Sequence, residues 1–288
     1  MQALIVSLAI AILVALAMLA PGWRLKRALK RPMPASFLAI LQRNLPLYPR
    51  MAPLLQAQLH TLLLQFLHQK TFVGCAGQEI DDEVRVTIAG QACLLLLNRA
   101  TRVYPTLHTV LVYPSAFMVP RNQVDAGGVV TETRQDLLGE SWGDGRVVLS
   151  WDHVRRGAHE GSDGQNVVLH EFAHQLDSES GSTNGAPYLG SAARYRSWAA
   201  VLSRDFAHLR AQAMGQQHGV LDHYGATSPA EFFAVATETF FEKPYQLAER
   251  HPALFSEFEK YYRVDPRAWQ TAPAAPEPMA ASGHGVWQ

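Results

Sequence analysis

The sequence predicts a mainly helical α+β protein with a small sheet, preceded by one N-terminal transmembrane helix. Three observations support this prediction. Apolar residues between positions 37 and 68 recur at three- and four-residue steps, which is the period of an amphipathic helix. Two runs rich in β-branched residues, at 108–118 and 146–151, have the length and composition of strands. Residues 3–20 form an uninterrupted apolar run, long enough to cross a bilayer.

The composition indicates a folded domain with no nucleic-acid partner. The chain has 288 residues, of which 48% are hydrophobic, and this is ample for a core. Lys and Arg together number 25, as do Asp and Glu, so no net charge attracts nucleic acid. Cys75 and Cys93 form no C-x-x-C pair and are too few for a disulfide scaffold. We expect them to be buried free thiols in a reducing compartment.

The N-terminal run predicts a membrane anchor. It spans 18 residues, 3–20, in which Ser7 is the only polar side chain, and as a helix it would be roughly 27 Å long, close to the hydrocarbon thickness of about 30 Å. Trp23 suits the membrane interface, and five cations follow within residues 24–31. Such a basic cluster marks the cytoplasmic side, so we expect a single-pass anchor in the inner membrane.

This interpretation divides the chain into an anchor, a basic juxtamembrane linker, one cytoplasmic domain and a disordered tail, at residues 1–21, 22–36, 37–270 and 271–288. The alternative is export after cleavage of a signal peptide, for which Ala15-Leu16-Ala17 offers a passable site. The positive charge follows the apolar run instead of preceding it, and this order favours the anchor.

The first elements of the domain are predicted to be helical. Residues 37–68 predict a helix that prolines divide near its start. Residues 70–73 are expected to be extended. A helix capped by Asp81 or Asp82 should run to about Leu97. The β-branched residues that alternate within it would also fit a strand, but the apolar run at its end favours the helix.

Two strands and a further helix are expected next. Residues 108–118 predict a strand ended by a proline. Within residues 139–151, a glycine-rich turn at 143–145 is followed by a second predicted strand at 146–151. The helix that follows should open near Ser162-Asp163 and stop at Gly181.

That helix contains the strongest chemical signal in the sequence. His170, Glu171 and His174 fit H-E-x-x-H, the pattern of a zinc-hydrolase helix, within residues 166–177. Residues four apart lie on the same helix face, so both imidazoles can reach one metal ion, with Glu171 beside them as a base. An ordinary surface helix would have the same polar face and is the alternative. If the motif is real, the strand predicted at 146–151 is either the sheet edge that pairs with a peptide or an internal strand.

A third ligand is needed, since catalytic zinc normally takes three protein ligands and keeps one position open. Ser228 is a good N-cap and Pro229 a good first helical residue, so Glu231 begins a second helix. Glu231 also sits where a capping-box glutamate would, and capping alone is the alternative. We assign Glu231 as the ligand and Glu238, on the same face, as a carboxylate that orients a histidine, although Glu238 could be the ligand instead. Asp177 is a second candidate for the orienting role.

The remaining segments give less chemical information. Tyr224 precedes Glu231 by seven residues and either donates a hydrogen bond to the reacting oxyanion or only packs at the helix start. Residues 192–214 predict a long helix and residues 240–262 a helix pair. Residues 271–288, rich in Ala, Pro, Gly and Ser, predict a disordered tail.

These motifs resemble the Mlc titration factor A family of bacterial zinc metallopeptidases. The resemblance rests on H-E-F-A-H-Q-L-D at 170–177, on Tyr224 and on S-P-A-E-F-F-A-V at 228–235, and it covers about residues 72–266. It implies a zincin-like fold of the gluzincin type, with a core related to that of lethal factor. It also implies one Zn²⁺ ion and the following matches to the family's site: His170, His174 and Glu231 as zinc ligands, Glu171 as the catalytic glutamate and Tyr224 as an active-site tyrosine.

The expected function is therefore that of a zinc-dependent peptidase acting on a peptide or protein, aminopeptidase-like and regulatory. The family's founding member binds a glucose-responsive transcriptional repressor, so the resemblance also implies a repressor partner. That founding member is soluble and cytosolic, whereas this sequence carries an apparent anchor. Two alternatives stay open: a membrane-tethered zinc-binding regulatory or sensor protein that binds a repressor, and a metal hydrolase acting on substrates other than peptides.

Overall fold

The computed structural model describes residues 7, 16, 20, 22–29, 31–124, 130–137, 139–142 and 145–272. In these ranges no helix combines the length and apolarity that a membrane span requires. Most of the predicted anchor, and the tail from residue 273 onward, lie outside the described residues. Both of these expectations therefore stay predictions.

Helices dominate the described part of the chain, as predicted, and begin where the sequence supplies a cap or a proline. Asp81, Asn166, Ser191 and Ser228 each accept a backbone hydrogen bond at a helix start. The helices are α1 (Ala35–Asn44), α2 (Pro53–Gln69), α3 (Asp82–Leu94), α4 (Trp151–His159), α5 (Val167–Ser178), α6 (Ala192–Met214), α7 (Pro229–Glu242), α8 (Pro244–Arg250) and α9 (Pro252–Tyr262), with 3₁₀ turns at Tyr48–Arg50, His223–Ala226 and Pro266–Trp269.

A small sheet lies beside these helices. The strands are β1 (Thr71–Gly74), β2 (Thr109–Tyr113), β3 (Phe117–Val124), β4 (Val130–Leu137), β5 (Gly139–Trp142) and β6 (Arg146–Ser150). The strand order of the sheet is β1-β2-β6-β5, in which β1, β2 and β6 are parallel and β5 is antiparallel to β6. A separate antiparallel hairpin consists of β3 and β4. Thr71 pairs with Thr109, and Thr109 pairs with Arg146.

The core joins this sheet to helix α5. Residues 147–150 of β6 are buried, as are Val110 and Val112 of β2, and α5 packs against both β5 and β6. Phe172 on α5 meets Tyr104 and Phe66 at ring-centroid distances of 4.8 and 5.6 Å. Because these aromatic rings are fully buried, they hold α5 against α2 and against the segment that precedes β2.

A second aromatic cluster holds helix α7. Trp198 on α6 stacks on Phe258 of α9 at 5.3 Å and meets Phe233 of α7 at 5.8 Å. Helix α7 is buried from Phe232 to Glu242, on all of its faces. Its carboxylates therefore point into the protein, where each needs a partner.

The helix with the H-E-x-x-H motif begins later than predicted. It starts at Val167, after Asn166 as the N-cap, and not near Ser162-Asp163. The chain first turns at Gly164, which has a φ of +78°. This backbone conformation is unfavourable for a residue with a side chain. The helix also ends at Ser178, before the predicted stop at Gly181.

The strand predicted at 146–151 is confirmed as β6, except that Trp151 already belongs to α4. Strand β5, which precedes it, was not predicted. The β3–β4 hairpin and helix α4 were not predicted. The strand expected at 108–118 is confirmed as β2, which ends at Tyr113, just before Pro114.

Candidate metal centre

Helix α5 presents two imidazoles on one face. The Asn166 side-chain oxygen accepts hydrogen bonds from the backbone N–H groups of Val168 and Leu169 at 3.1 and 3.0 Å, which satisfies the first turn. His170 and His174 follow one turn apart, and their ring centroids lie 4.9 Å from each other. The spacing in the sequence therefore gives the expected local geometry.

Helix α7 brings Glu231 to these imidazoles. Ser228 accepts a hydrogen bond from the backbone N–H of Glu231, so the serine is the cap. The Glu231 carboxylate instead lies 2.9 Å from His170 Nε2 and 3.3 Å from His174 Nε2. Capping alone therefore does not describe Glu231.

Three potential ligand atoms thus converge, and they fit a zinc ion. His170 Nε2 and His174 Nε2 lie 3.2 Å apart, and both lie close to the same Glu231 oxygen. Two ligands of a tetrahedral zinc with bonds of about 2.0–2.1 Å lie about 3.3–3.4 Å apart, near the spacing seen here. Two imidazoles and one carboxylate also leave the fourth position that a catalytic site keeps open.

Glu238 lies behind His170 and does not face His174. Its Oε1 is 2.7 Å from His170 Nδ1, the nitrogen on the far side of the ring from the converging atoms. Its Oε2 accepts a hydrogen bond from the backbone N–H of Asn166. A carboxylate at Nδ1 fixes the ring orientation and leaves Nε2 available for a metal.

The surrounding charges perturb the pKa values of His170 and Glu231. Burial by itself lowers the pKa of His170, but the carboxylates of Glu238, Glu231 and Glu171 outweigh it and raise this pKa well above its ordinary value. Burial by itself raises the pKa of Glu231, but hydrogen bonds from His170 and His174 lower it to about 2. A metal ion that takes the two Nε2 atoms would compete with the proton on His170.

Glu171 and Tyr224 both belong to this site. Glu171 follows His170 on α5, is buried, and is among the charges that raise the His170 pKa. Tyr224 lies on the 3₁₀ turn before α7, with its ring centroid 5.8 Å from that of His170. The tyrosine is 48% exposed, so a bound molecule can reach it.

Asp177 binds the loop that follows α5. Its Oδ2 accepts a hydrogen bond from the backbone N–H of Gly185 at 2.7 Å, which holds the loop after α5. Its Oδ1 and His174 Nδ1 are both buried with no hydrogen-bond partner in the part of the chain that the structure describes. The orienting role expected for Asp177 stays a prediction.

The sheet edge beside α5 is β5. Strand β6 lies between β2 and β5, so the internal alternative holds for residues 146–150. Among the described strands, β5 has a neighbour on one side only. The edge therefore lies one strand upstream of the main β-branched run.

Three buried polar residues near α5 were not predicted from the sequence: Asn166, Gln91 and Glu242. The amide of Asn166 contacts the side chains of the other two. For two of these residues, the sequence contains a signal. Asn166 directly precedes the apolar turn of α5, as an N-cap does, and Glu242 follows Glu238 by one helical turn.

Comparison with known proteins identifies relatives over most of the chain. Residues 21–263 match the model of the glucose-regulated metallo-peptidase M90 family. The uncharacterized protein slr2042 of Synechocystis is 42% identical over 245 residues, which are 85% of this chain and 89% of that protein. Mlc titration factor A of Salmonella arizonae is 33% identical over 225 residues, 77% of this chain and 88% of that protein. The Salmonella gallinarum protein of the same name is also 33% identical.

Proposed function

The chain belongs to the glucose-regulated metallo-peptidase M90 family, and from this premise we propose that it is a zinc-dependent peptidase that hydrolyses peptide bonds. The observation that carries the proposal is the convergence of His170 Nε2, His174 Nε2 and a Glu231 oxygen. Glu171 lies beside them on α5. A closed structural site would need a fourth protein ligand, and the described residues contribute three to this cluster.

His170, His174 and Glu231 would hold the ion, which when bound supplies a Lewis acid that polarises the scissile carbonyl and lowers the pKa of water to about 7. Glu171 has no duty as a ligand in this arrangement. It takes a proton from the attacking water and delivers it to the leaving amine, acting first as a general base and then as a general acid. Its burial beside His170 supports that role.

Two further residues prepare the site for this reaction. Glu238 holds His170 by its Nδ1 and so directs Nε2 towards the ligand cluster. The Tyr224 hydroxyl donates a hydrogen bond to the oxyanion that forms at the carbonyl, a contact worth about 3 kcal/mol in comparable sites. The proximity of its ring to that of His170 supports this assignment.

The substrate is proposed to be an extended peptide segment. Strand β5 lies next to α5 and is an edge among the described strands, so a peptide main chain can pair with its outer side. Side-chain preference and the choice between an aminopeptidase and an endopeptidase depend on pocket walls beyond this edge.

We also propose that residues 3–20 anchor the protein in the inner membrane, with the peptidase domain on the cytoplasmic side. The apolar run and the basic cluster after it support this location. The second candidate function is a tethered zinc-binding regulatory protein that binds a transcriptional repressor, which the name Mlc titration factor A of two relatives supports.

Two substitutions test the peptidase. Glu171→Gln should retain zinc and lower kcat on short peptides by about 10²–10⁴, because it removes the proton acceptor but no ligand. Glu231→Ala should lose zinc as well as activity. Zinc content by metal analysis and turnover on a peptide panel measure both effects. The exposed Glu249→Gln is the control and should behave as wild type.

The outcomes separate the candidates. Wild-type protein that binds zinc but cleaves no peptide of the panel would favour the regulatory protein over the peptidase. If Glu238→Ala removes zinc while Glu231→Ala retains it, our ligand assignment is wrong.

A further inference from the structure

Asn166 forms several hydrogen bonds beside the candidate metal centre. The residue is 4% exposed, and its side-chain oxygen, side-chain nitrogen and backbone N–H all form hydrogen bonds. Its side-chain oxygen caps α5. Its side-chain nitrogen and its backbone N–H both donate hydrogen bonds to carboxylates of α7. One buried residue therefore contacts two of the helices on which the centre depends.

The backbone N–H of Asn166 reaches a metal-site histidine through one carboxylate. It donates to Glu238 Oε2, and the other oxygen of Glu238 lies 2.7 Å from His170 Nδ1. Asn166 precedes His170 by one helical turn, so this carboxylate bridges two successive turns of α5. A shift of Asn166 would move Glu238 and rotate the imidazole of His170.

The side-chain amide of Asn166 ties this unit to a second carboxylate of α7. Its Nδ2 donates to Glu242 Oε1 at 3.0 Å and to Gln91 Oε1 at 2.8 Å. Glu242 Oε2 accepts a hydrogen bond from the Gly164 backbone N–H at 3.0 Å, so both carboxylate oxygens are used. Only an amide provides an acceptor for the cap and donors for these oxygens within one side chain.

Asn166 packs closely against helix α4 at Gly157. A Cβ atom built on Gly157 of α4 would lie 3.1 Å from the Asn166 amide and 3.2 Å from its Cα. Gly157 also accepts a hydrogen bond from Asn166 Nδ2 at 3.3 Å. Gly161, nearby in sequence, has a single neighbour at 3.9 Å and offers a matched site without this contact.

We propose that Asn166 is a positioning residue of the metal centre. It sets the orientation of His170 through Glu238. Hydrogen bonds to Glu242 and Gln91 hold Asn166 in place, and Gly157 has no side chain that would displace it. The inference rests on the proposed function only in taking zinc as the ion. It adds three helices, α3, α4 and α7, to the support of one ligand on α5.

The first test is an exchange of donor and acceptor between positions 166 and 242. Asn166→Asp keeps the cap but removes the N–H donors that serve Glu242 Oε1 and Gln91 Oε1, and we expect it to weaken zinc binding tenfold or more. Adding Glu242→Gln returns an N–H donor to the pair and should recover most of that loss. The dissociation constant is measured by titrating metal-free full-length protein with Zn²⁺ against a chromophoric chelator, with unfolding in urea recorded for each variant.

The second test keeps every polar group in place. Gly157→Ala favours the helical backbone of α4 but presses on Asn166, so zinc binding should weaken severalfold with no matching loss of stability. Gly161→Ala should bind zinc as wild type does. This pair decides the question even if Asn166→Asp fails to fold.

The results also distinguish this inference from the proposed function. Wild-type protein that binds no zinc would contradict the proposed function itself. Wild-type protein that binds zinc, with equal affinity in Asn166→Asp and Gly157→Ala, would overturn the positioning role of Asn166 and leave the peptidase proposal intact.

Discussion

At the scale of single residues, burial changes the acid–base chemistry of Glu242. Burial raises the pKa of its carboxyl group to about 8, against the hydrogen bond from Asn166, and the charges of Glu238 and Asp163 add to the rise. An ordinary glutamate has a pKa of about 4.3. The folded protein therefore holds a proton on Glu242 in a pH range where the unfolded chain has released it.

This difference predicts how stability depends on pH. A carboxyl group with a raised folded pKa contributes stability that is fully present below its unfolded pKa and is lost as the pH rises through the folded value. From about pH 4.3 to about pH 8, Glu242 should lower the free energy of unfolding by up to about 1.4 kcal/mol per pH unit. Glu242→Gln should remove this slope.

Urea unfolding of metal-free protein at several pH values, with and without Glu242→Gln, measures the slope. The comparison cancels the other titrating groups because both proteins contain them. Parallel stability profiles would show that Glu242 titrates as an ordinary glutamate.

At the scale of elements, the loop between α5 and α6 fixes the start of α7. The Gly185 backbone N–H donates to Asp177, and its carbonyl accepts a hydrogen bond from the Trp198 indole at 2.8 Å. Gly185 has φ of +78°, and a Cβ atom there would lie 2.3 Å from the carbonyl oxygen of Pro229. This loop therefore contacts the helical turn that carries Glu231.

Gly185→Ala should destabilise the protein and weaken zinc binding. The side chain would push away the first turn of α7 and would also occupy an unfavourable backbone conformation. Gly181→Ala is the matched control, since Gly181 has φ of +99° but no atom within 4 Å of its Cβ position. The control should lose only about 1–2 kcal/mol for the backbone conformation and keep its zinc affinity.

Thermal unfolding and zinc titration of the two variants measure these effects. A similar loss of stability in both, with equal zinc affinity, would mean that the contact with Pro229 does not position Glu231.

At the scale of the whole molecule, the predicted anchor decides where the peptidase domain works. The full-length chain should sediment with membranes and resist extraction by high salt, because burial of 18 largely apolar residues does not depend on charge. A chain that begins at Pro32 should remain soluble under the same conditions. Fractionation and immunoblotting measure both, and equal solubility of the two chains would contradict the anchor.

The sequence alone determined those features that act within one or two helical turns. The H-E-x-x-H spacing puts His170 and His174 on one face, and Ser228 and Pro229 start α7, because capping and the helical period are local properties. The mainly helical class followed in the same way, from apolar periodicity summed over many turns. The start of α5 differs from the prediction because Asp163 and Asn166 are both good caps, and the structure uses Asn166, which follows the turn at Gly164.

Only the tertiary structure decided how separate segments meet. Glu231 and Glu238 lie on the same face of α7, so the sequence left both as possible ligands, whereas the packing of α7 on α5 directs Glu231 to the two Nε2 atoms and Glu238 to Nδ1. Likewise, strand pairing makes β6 internal and β5 an edge among the described strands. Such contacts join residues tens of positions apart, and local propensity carries no information about them because they depend on how whole elements pack.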